Sequence, residues 1–317
     1  MMRELADSGR RVGSQALYSL LAKRGITKRT LISAHRTIDD IYSQFSRMNG
    51  AFFSQGWGDL SFFTSEERKK WDWTYEYVRP DGGDGLRSMS GAQTTVSSRS
   101  HTTYPESTPP SAWPPATLDL DWKTITKNAT HTLLEAEFDT PVTGPIYHAL
   151  PPESRKARVQ LLLPPGKQLS SDLSCMVHLP GTGDHGFTLR KLISKPLLKD
   201  GIASLILEGP FYGRRRPPSQ PGAKLLHVTD LLLLGRTTIE ESRALLHWGE
   251  QQGVKRIGVT GLSMGGVHAA MVAALHPKPL ACVPIMAPHS AEPVFCDAAL
   301  KQATAWKQLA AQMDEFE

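Results

Sequence analysis

The pentapeptide Gly261-Leu262-Ser263-Met264-Gly265 lies where the apolar run Arg256 to Thr260 gives way to a helical pattern with Val267, Met271 and Ala274 on one face. That placement constrains the fold more than any other feature of the chain. Small residues two before and two after a serine let the backbone reverse sharply between a strand and a helix without side-chain collision. Such a turn is a nucleophile elbow: it holds the serine in strained backbone angles, with its Oγ above the carboxyl edge of a sheet and the positive end of the helix facing a developing oxyanion. The plainer alternative is a glycine-rich turn in which Ser263 only caps the helix.

The surrounding pattern fits the elbow. Apolar runs at His131–Phe138, Ala157–Pro164, Cys175–Leu179, Ile202–Leu207, Arg256–Thr260 and Leu280–Ala287 read as strands. Helical spacing separates the later ones, near Thr188–Lys199, over Thr229–Gln251 and after Met264. Strands alternating with helices predict an α/β fold: a mostly parallel sheet with flanking helices. An oxyanion hole needs two N–H donors, one from the residue after the nucleophile and one from the loop after an earlier strand. Met264 is the first candidate. Gly183 or Asp184, in Pro180-Gly181-Thr182-Gly183-Asp184-His185, is the second.

Gly181-Thr182-Gly183-Asp184-His185-Gly186 also spells G-x-G-x-x-G after a strand, and Glu208 ends the next strand, as an NAD(P)-binding fingerprint would. Two strands before this unit and an unexplained elbow after it weigh against that rival. On the hydrolytic reading Glu208 bonds the following loop, Gly209 to Gly213. Arg214-Arg215-Arg216 lies on the sheet's active edge, where Arg214 and Arg215 could hold a substrate phosphate or carboxylate, although a solvated basic loop is the simpler reading. His185 and His268 flank the site in sequence and are candidates to touch substrate; His178, within an apolar strand, and His247, on a helix, read as packing residues.

The 317 residues carry a formal net charge of +5, with no basic run longer than Arg214-Arg215-Arg216, which argues against nucleic acid as a partner. Cys175, Cys282 and Cys296 form no CxxC pair and no zinc spacing, so a reducing, intracellular setting is expected and no metal or organic cofactor is implied. No apolar stretch reaches the roughly 18 to 20 residues of a spanning helix, leaving a soluble or peripheral protein with room for membrane contact. Residues 1–80 read as a helical extension, and 81–117 as a flexible linker rich in Gly, Ser and Pro. The first fifty residues hold nine Lys/Arg against four Asp/Glu. With the patch Ala16–Ala22 this has features of an organelle transit peptide, mitochondrial among them, against which Glu4 and Asp7 count.

Four segments together are specific: His178-Leu-Pro-Gly-Thr-Gly-Asp-His185, Leu207-Glu-Gly-Pro-Phe-Tyr-Gly-Arg214, Ala244-Leu-Leu-His-Trp248 and Gly258-Val-Thr-Gly-Leu-Ser-Met-Gly-Gly266. They resemble the abhydrolase-domain-containing 18 family over about residues 130 to 290, and more loosely over Phe52 to Asp59. The resemblance implies an α/β-hydrolase fold and a serine hydrolase with Ser263 as nucleophile, acting on carboxylic esters, lipid acyl esters above all.

Triads of this fold run serine, acid, histidine in chain order. The residues after Ser263 hold a helix, a strand and one more helix near Ala298–Gln312, and neither His289 nor Asp297 stands in the expected order. The expectation is therefore an incomplete α/β-hydrolase domain over 118–317, ending after its sixth strand, with acid and base absent from this chain. The alternative is a catalytically inactive, binding or regulatory hydrolase-fold protein.

Overall fold

A computed structural model describes residues 50–61, 113–298 and 300–313. Most of the expected N-terminal extension and linker falls outside these residues. Residues 50–60 form turns and a short bridge, with Gly50, Gly56 and Gly58 all at positive φ, in keeping with Gly56-Trp57-Gly58 as a break in the helical pattern.

Seven strands make one sheet in the order β1-β2-β3-β5-β4-β6-β7: β1 Lys123–Lys127, β2 Thr132–Asp139, β3 Lys156–Leu163, β4 Ser174–Leu179, β5 Ile202–Leu207, β6 Arg256–Leu262 and β7 Ala281–Ile285. The first four in that order pair antiparallel, and β5, β4, β6 and β7 run parallel. Six of these strands match the sequence expectation. β1 does not appear in it, because Lys-Thr-Ile-Thr-Lys offers one apolar residue, Ile125, and that side chain faces solvent.

The middle of the sheet is buried on both faces and mostly apolar, as strands covered by helices require, with Arg158, Gln160, His178 and Ser204 among its buried polar residues. Ala157 through Leu163 of β3 and Ala203 through Leu207 of β5 are all buried. The helices are α1 Gly144–Ala149, α2 Thr188–Ser194, α3 Val228–Gln251, α4 Met264–Ala274 and α5 Trp306–Met313. The expected helix from Thr188 to Lys199 stops at Ser194 and continues as a 3₁₀ turn, Lys195–Asp200. Pro196 is the reason: it lacks the N–H that an α-helix would direct to Leu192.

The chain divides into two compact units, one drawn from within 1–57, 218–228 and 288–317, the other from 58–217 and 229–287. The second holds the sheet and Ser263. In the first, Phe52, Phe53 and Phe295 pack with ring centroids 5.1 to 5.9 Å apart, and the Lys224 ammonium sits 4.3 Å from the Phe52 ring centroid. There Trp57 Nε1 donates to the Leu309 carbonyl at 3.0 Å, tying the segment after Phe52 to α5.

Candidate active site

β6 runs directly into α4, and Ser263 occupies the junction with φ 56 and ψ −119. Positive φ in a residue with a Cβ is strained, at a cost of about 1–3 kcal/mol, and persists only where its surroundings enforce it. Two surroundings do so here. The Ser263 N–H donates to the Ile285 carbonyl of β7 at 2.8 Å, while its own carbonyl accepts from Gly266 at 2.9 Å and Val267 at 3.2 Å, starting the helix. The glycines make the approach sterically feasible. A Cβ on Gly261 would overlap the Gly265 carbonyl, and one on Gly265 would lie 2.5 Å from the Leu179 carbonyl oxygen. Among the described residues, Ser263 Oγ makes no hydrogen bond.

The loop after β4 reaches the same place, with Thr182 Oγ1 3.6 Å from Met264 Sδ. Gly183 takes φ 74. Of the two donors expected from this loop, Asp184 is otherwise engaged: its N–H donates to the Gly181 carbonyl at 3.3 Å, and its carboxylate accepts from Arg190 Nε at 2.6 Å. The buried Arg190 guanidinium also donates to the carbonyls of Leu207 and Gly186, clamping the loop against the end of β5.

Arg215 corrects a second expectation. It is fully buried, with its guanidinium paired to both Glu241 carboxylate oxygens at 2.8 and 2.5 Å and bonded to the carbonyls of Glu208 and Ser154. Its guanidinium is spent on these interior partners. Sequence alone cannot separate three consecutive arginines, because the partner that selects Arg215 is 26 positions away on α3. Arg214 is exposed. Its charge acts on Glu135: burial pushes that carboxyl's pKa up, but hydrogen bonds from Gln160 and Arg158 and the charges of Arg158 and Arg214 outweigh burial and hold it low.

Glu208 is also buried, receiving Arg158 Nη1 at 2.9 Å and the Arg214 N–H at 3.4 Å. These bonds, to β3 and to the residue just after the Gly209 to Gly213 loop, engage the carboxylate that a dinucleotide ribose would need. The G-x-G-x-x-G run is correspondingly not a phosphate cradle of the NAD(P) kind: its final glycine is clamped by Arg190, and the helix that follows has only seven residues.

His185 Nδ1 accepts the Gly213 N–H at 2.9 Å, and its ring meets Tyr212 edge-on at 5.4 Å. A nitrogen that accepts from a backbone amide carries no proton, so the neutral ring presents Nε2–H outward. Burial, then the charge of Arg216, lowers its pKa, while Asp184 and Glu208 act the other way. A triad base needs the opposite tautomer, with Nε2 free to take the serine proton. His268 is buried on α4 with Nε2 3.2 Å from where a Gly235 side chain would begin, and burial pushes its pKa down to about 4. It faces α3. His178 is bonded to Ser204 at 3.1 Å within the sheet.

Elbow, loop and sheet order define an α/β-hydrolase fold. Residues 50–317 match the family described as "Alpha/beta hydrolase domain containing 18", and the chain belongs to that family. Solved structures similar to it include an acetyl xylan esterase from Paenibacillus sp. R4, at 17% identity and TM-score 0.41, covering 54% of each chain. A putative acetyl xylan esterase from Bacteroides fragilis matches at 16% identity and TM-score 0.39, covering 50% of this chain and 46% of that one. Acetyl xylan esterase 1 from Thermoanaerobacterium sp. matches at 17% identity and TM-score 0.36, with 49% and 48% covered. The chain spans about half the length of each of these structures.

Proposed function

We propose that the chain carries the nucleophile and oxyanion elements of a serine hydrolase acting on carboxylic esters, lipid acyl esters among them. The observation that carries this reading is the positive-φ conformation of Ser263 at the strand-to-helix junction. Ser263 Oγ attacks the ester carbonyl carbon, and the carbonyl π pair moves to oxygen. The resulting oxyanion takes hydrogen bonds from the Met264 N–H at the start of α4 and from Gly183, the loop donor that remains once Asp184 is committed. Collapse of the tetrahedral intermediate expels the alcohol and leaves Ser263 acylated; water then releases the acid.

The serine proton requires a base. His185 presents a proton instead of accepting one, His268 faces α3, and neither His289 nor Asp297 stands in the chain order of a triad, so acid and base are assigned outside the described residues. Removing a triad's base costs about four to six powers of ten in rate, leaving oxyanion and binding effects. His185, with its outward Nε2–H, serves as a donor to a substrate oxygen, and exposed Arg214 is the one of the two candidate cations, Arg214 and Arg215, that is left to meet an acidic group.

The test is covalent labelling by a fluorophosphonate probe. Labelling in a preparation containing the full gene product, abolished by Ser263→Ala while the fold is retained, supports the reading. Absence of labelling in that preparation contradicts it.

A further inference from the structure

Helix α2, which follows directly on the proposed oxyanion loop, is amphipathic in the wrong sense for a soluble protein. Its inward positions are Arg190 and Ser194, 3% and 0% exposed, while Leu192, Leu189 and Ile193 are 70%, 43% and 36% exposed. The i, i+3, i+4 stripe that normally packs on a core faces outward here. The polar face is pinned inside. Arg190 is committed to Asp184, Leu207 and Gly186, and the Ser194 hydroxyl donates to the Arg190 carbonyl at 2.6 Å and lies 3.3 Å from His178 Nε2. Rotating the helix to bury its leucines would carry Arg190 away and leave the Asp184 carboxylate and the Leu207 and Gly186 carbonyls without their donor, which costs more than exposing apolar side chains. The exposed stripe is therefore fixed by the fold.

We propose that this face docks on an anionic lipid bilayer. Charge selects the occupant. Lys191, Lys195 and Lys199 flank the stripe, and from Thr188 to Lys199 there is no acidic residue. Lys195 and Lys199 are exposed. Lys195 also lies near enough to His131, beside the β1–β2 turn, to act on it electrostatically. Three apolar side chains on one short helix present far less than the roughly 800 Å² per partner of a stable protein interface. They suit shallow insertion at the acyl boundary, with lysines on the headgroups. Adjacent to the loop after β4, an inserted α2 would bring acyl esters in the bilayer to the neighbourhood of Ser263. Only that consequence rests on the proposed hydrolase activity.

The test is flotation of the whole chain with phosphatidylcholine vesicles, with and without phosphatidylglycerol. The chain is expected to float with the phosphatidylglycerol vesicles at low salt and to be released at high salt. The triple exchange Lys191→Glu, Lys195→Glu, Lys199→Glu should weaken partition roughly tenfold or more. Leu192→Ser, at an exposed position, should weaken it by roughly tenfold with an unchanged circular dichroism spectrum. Ser263→Ala should float as the unmodified chain does, which separates failure of docking from failure of the hydrolase reading. No flotation with anionic vesicles, or flotation indifferent to these exchanges, overturns the proposal. So does sedimentation showing a dimer lost in Leu192→Ser, which would give the face to a second copy.

Discussion

Arg215 and His185 show how a single contact assigns a residue. Arg215 and Glu241 form a pair that is buried on both sides, 1% and 0% exposed. Arg215→Ala would strand the Glu241 carboxylate in the interior and should cost about 3–5 kcal/mol of stability by chemical denaturation. Arg215→Lys should not rescue it, because one ammonium cannot replace the bidentate fork. The contrasting exchange, Arg214→Ala at an exposed position, should leave stability within about 0.5 kcal/mol. For His185, the Gly213 N–H bond requires the Nε2–H tautomer. Nitrogen-15 spectra should show that tautomer, persisting to lower pH than for an ordinary histidine because burial and Arg216 oppose protonation. An Nδ1–H tautomer would remove the basis for its role as a substrate donor.

At the scale of elements, the elbow depends on two chain segments lying closer than side chains allow. Gly265→Ala places a Cβ 2.5 Å from the Leu179 carbonyl oxygen and 2.7 Å from that of Pro180, both backbone atoms with little freedom to yield. A loss of about 1–3 kcal/mol in stability, or loss of probe labelling in a folded chain, is expected. This turn was legible in the sequence because its requirement is local: small residues at fixed spacing between a strand pattern and a helix pattern. The buried strands were legible for the same reason, as continuous apolar runs. Three features were not. β1 lies at the sheet edge and needs little hydrophobicity. The stop of α2 at Ser194 depends on Pro196, whose effect the apolar spacing hides. The orientation of α2 depends on what awaits Arg190 at Asp184, Gly186 and Leu207, contacts that periodicity does not encode; an apolar stripe at helical spacing reads by default as an inward face.

For the whole molecule, buried neutral histidines tie stability to pH. Burial, with the Arg190 charge added at His178, pushes the pKa values of His178 and His268 from 6.5 to about 4. Because the folded values lie below the unfolded ones, the unfolded chain binds more protons between these limits. Stability is complete above pH 6.5 and falls as pH drops toward 4, with each histidine contributing up to about 1.4 kcal/mol per pH unit inside that window. Denaturation midpoints measured from pH 7 to pH 5 should fall, and His268→Leu should reduce the slope. At the same scale, β7 is the last strand of the described sheet, with Val283 within it and Met286 just after it exposed. Among the described residues no helix is long and apolar enough to cross a membrane.

The central claim is that Ser263 is the acylated residue of an ester hydrolase. Its most direct test is peptide mass spectrometry of the full gene product after brief reaction with a fluorophosphonate. The expected adduct is a single one, on the peptide containing Gly261-Leu262-Ser263-Met264-Gly265, and absent from Ser263→Ala. An adduct on another serine, or none while ester hydrolysis proceeds, would contradict it.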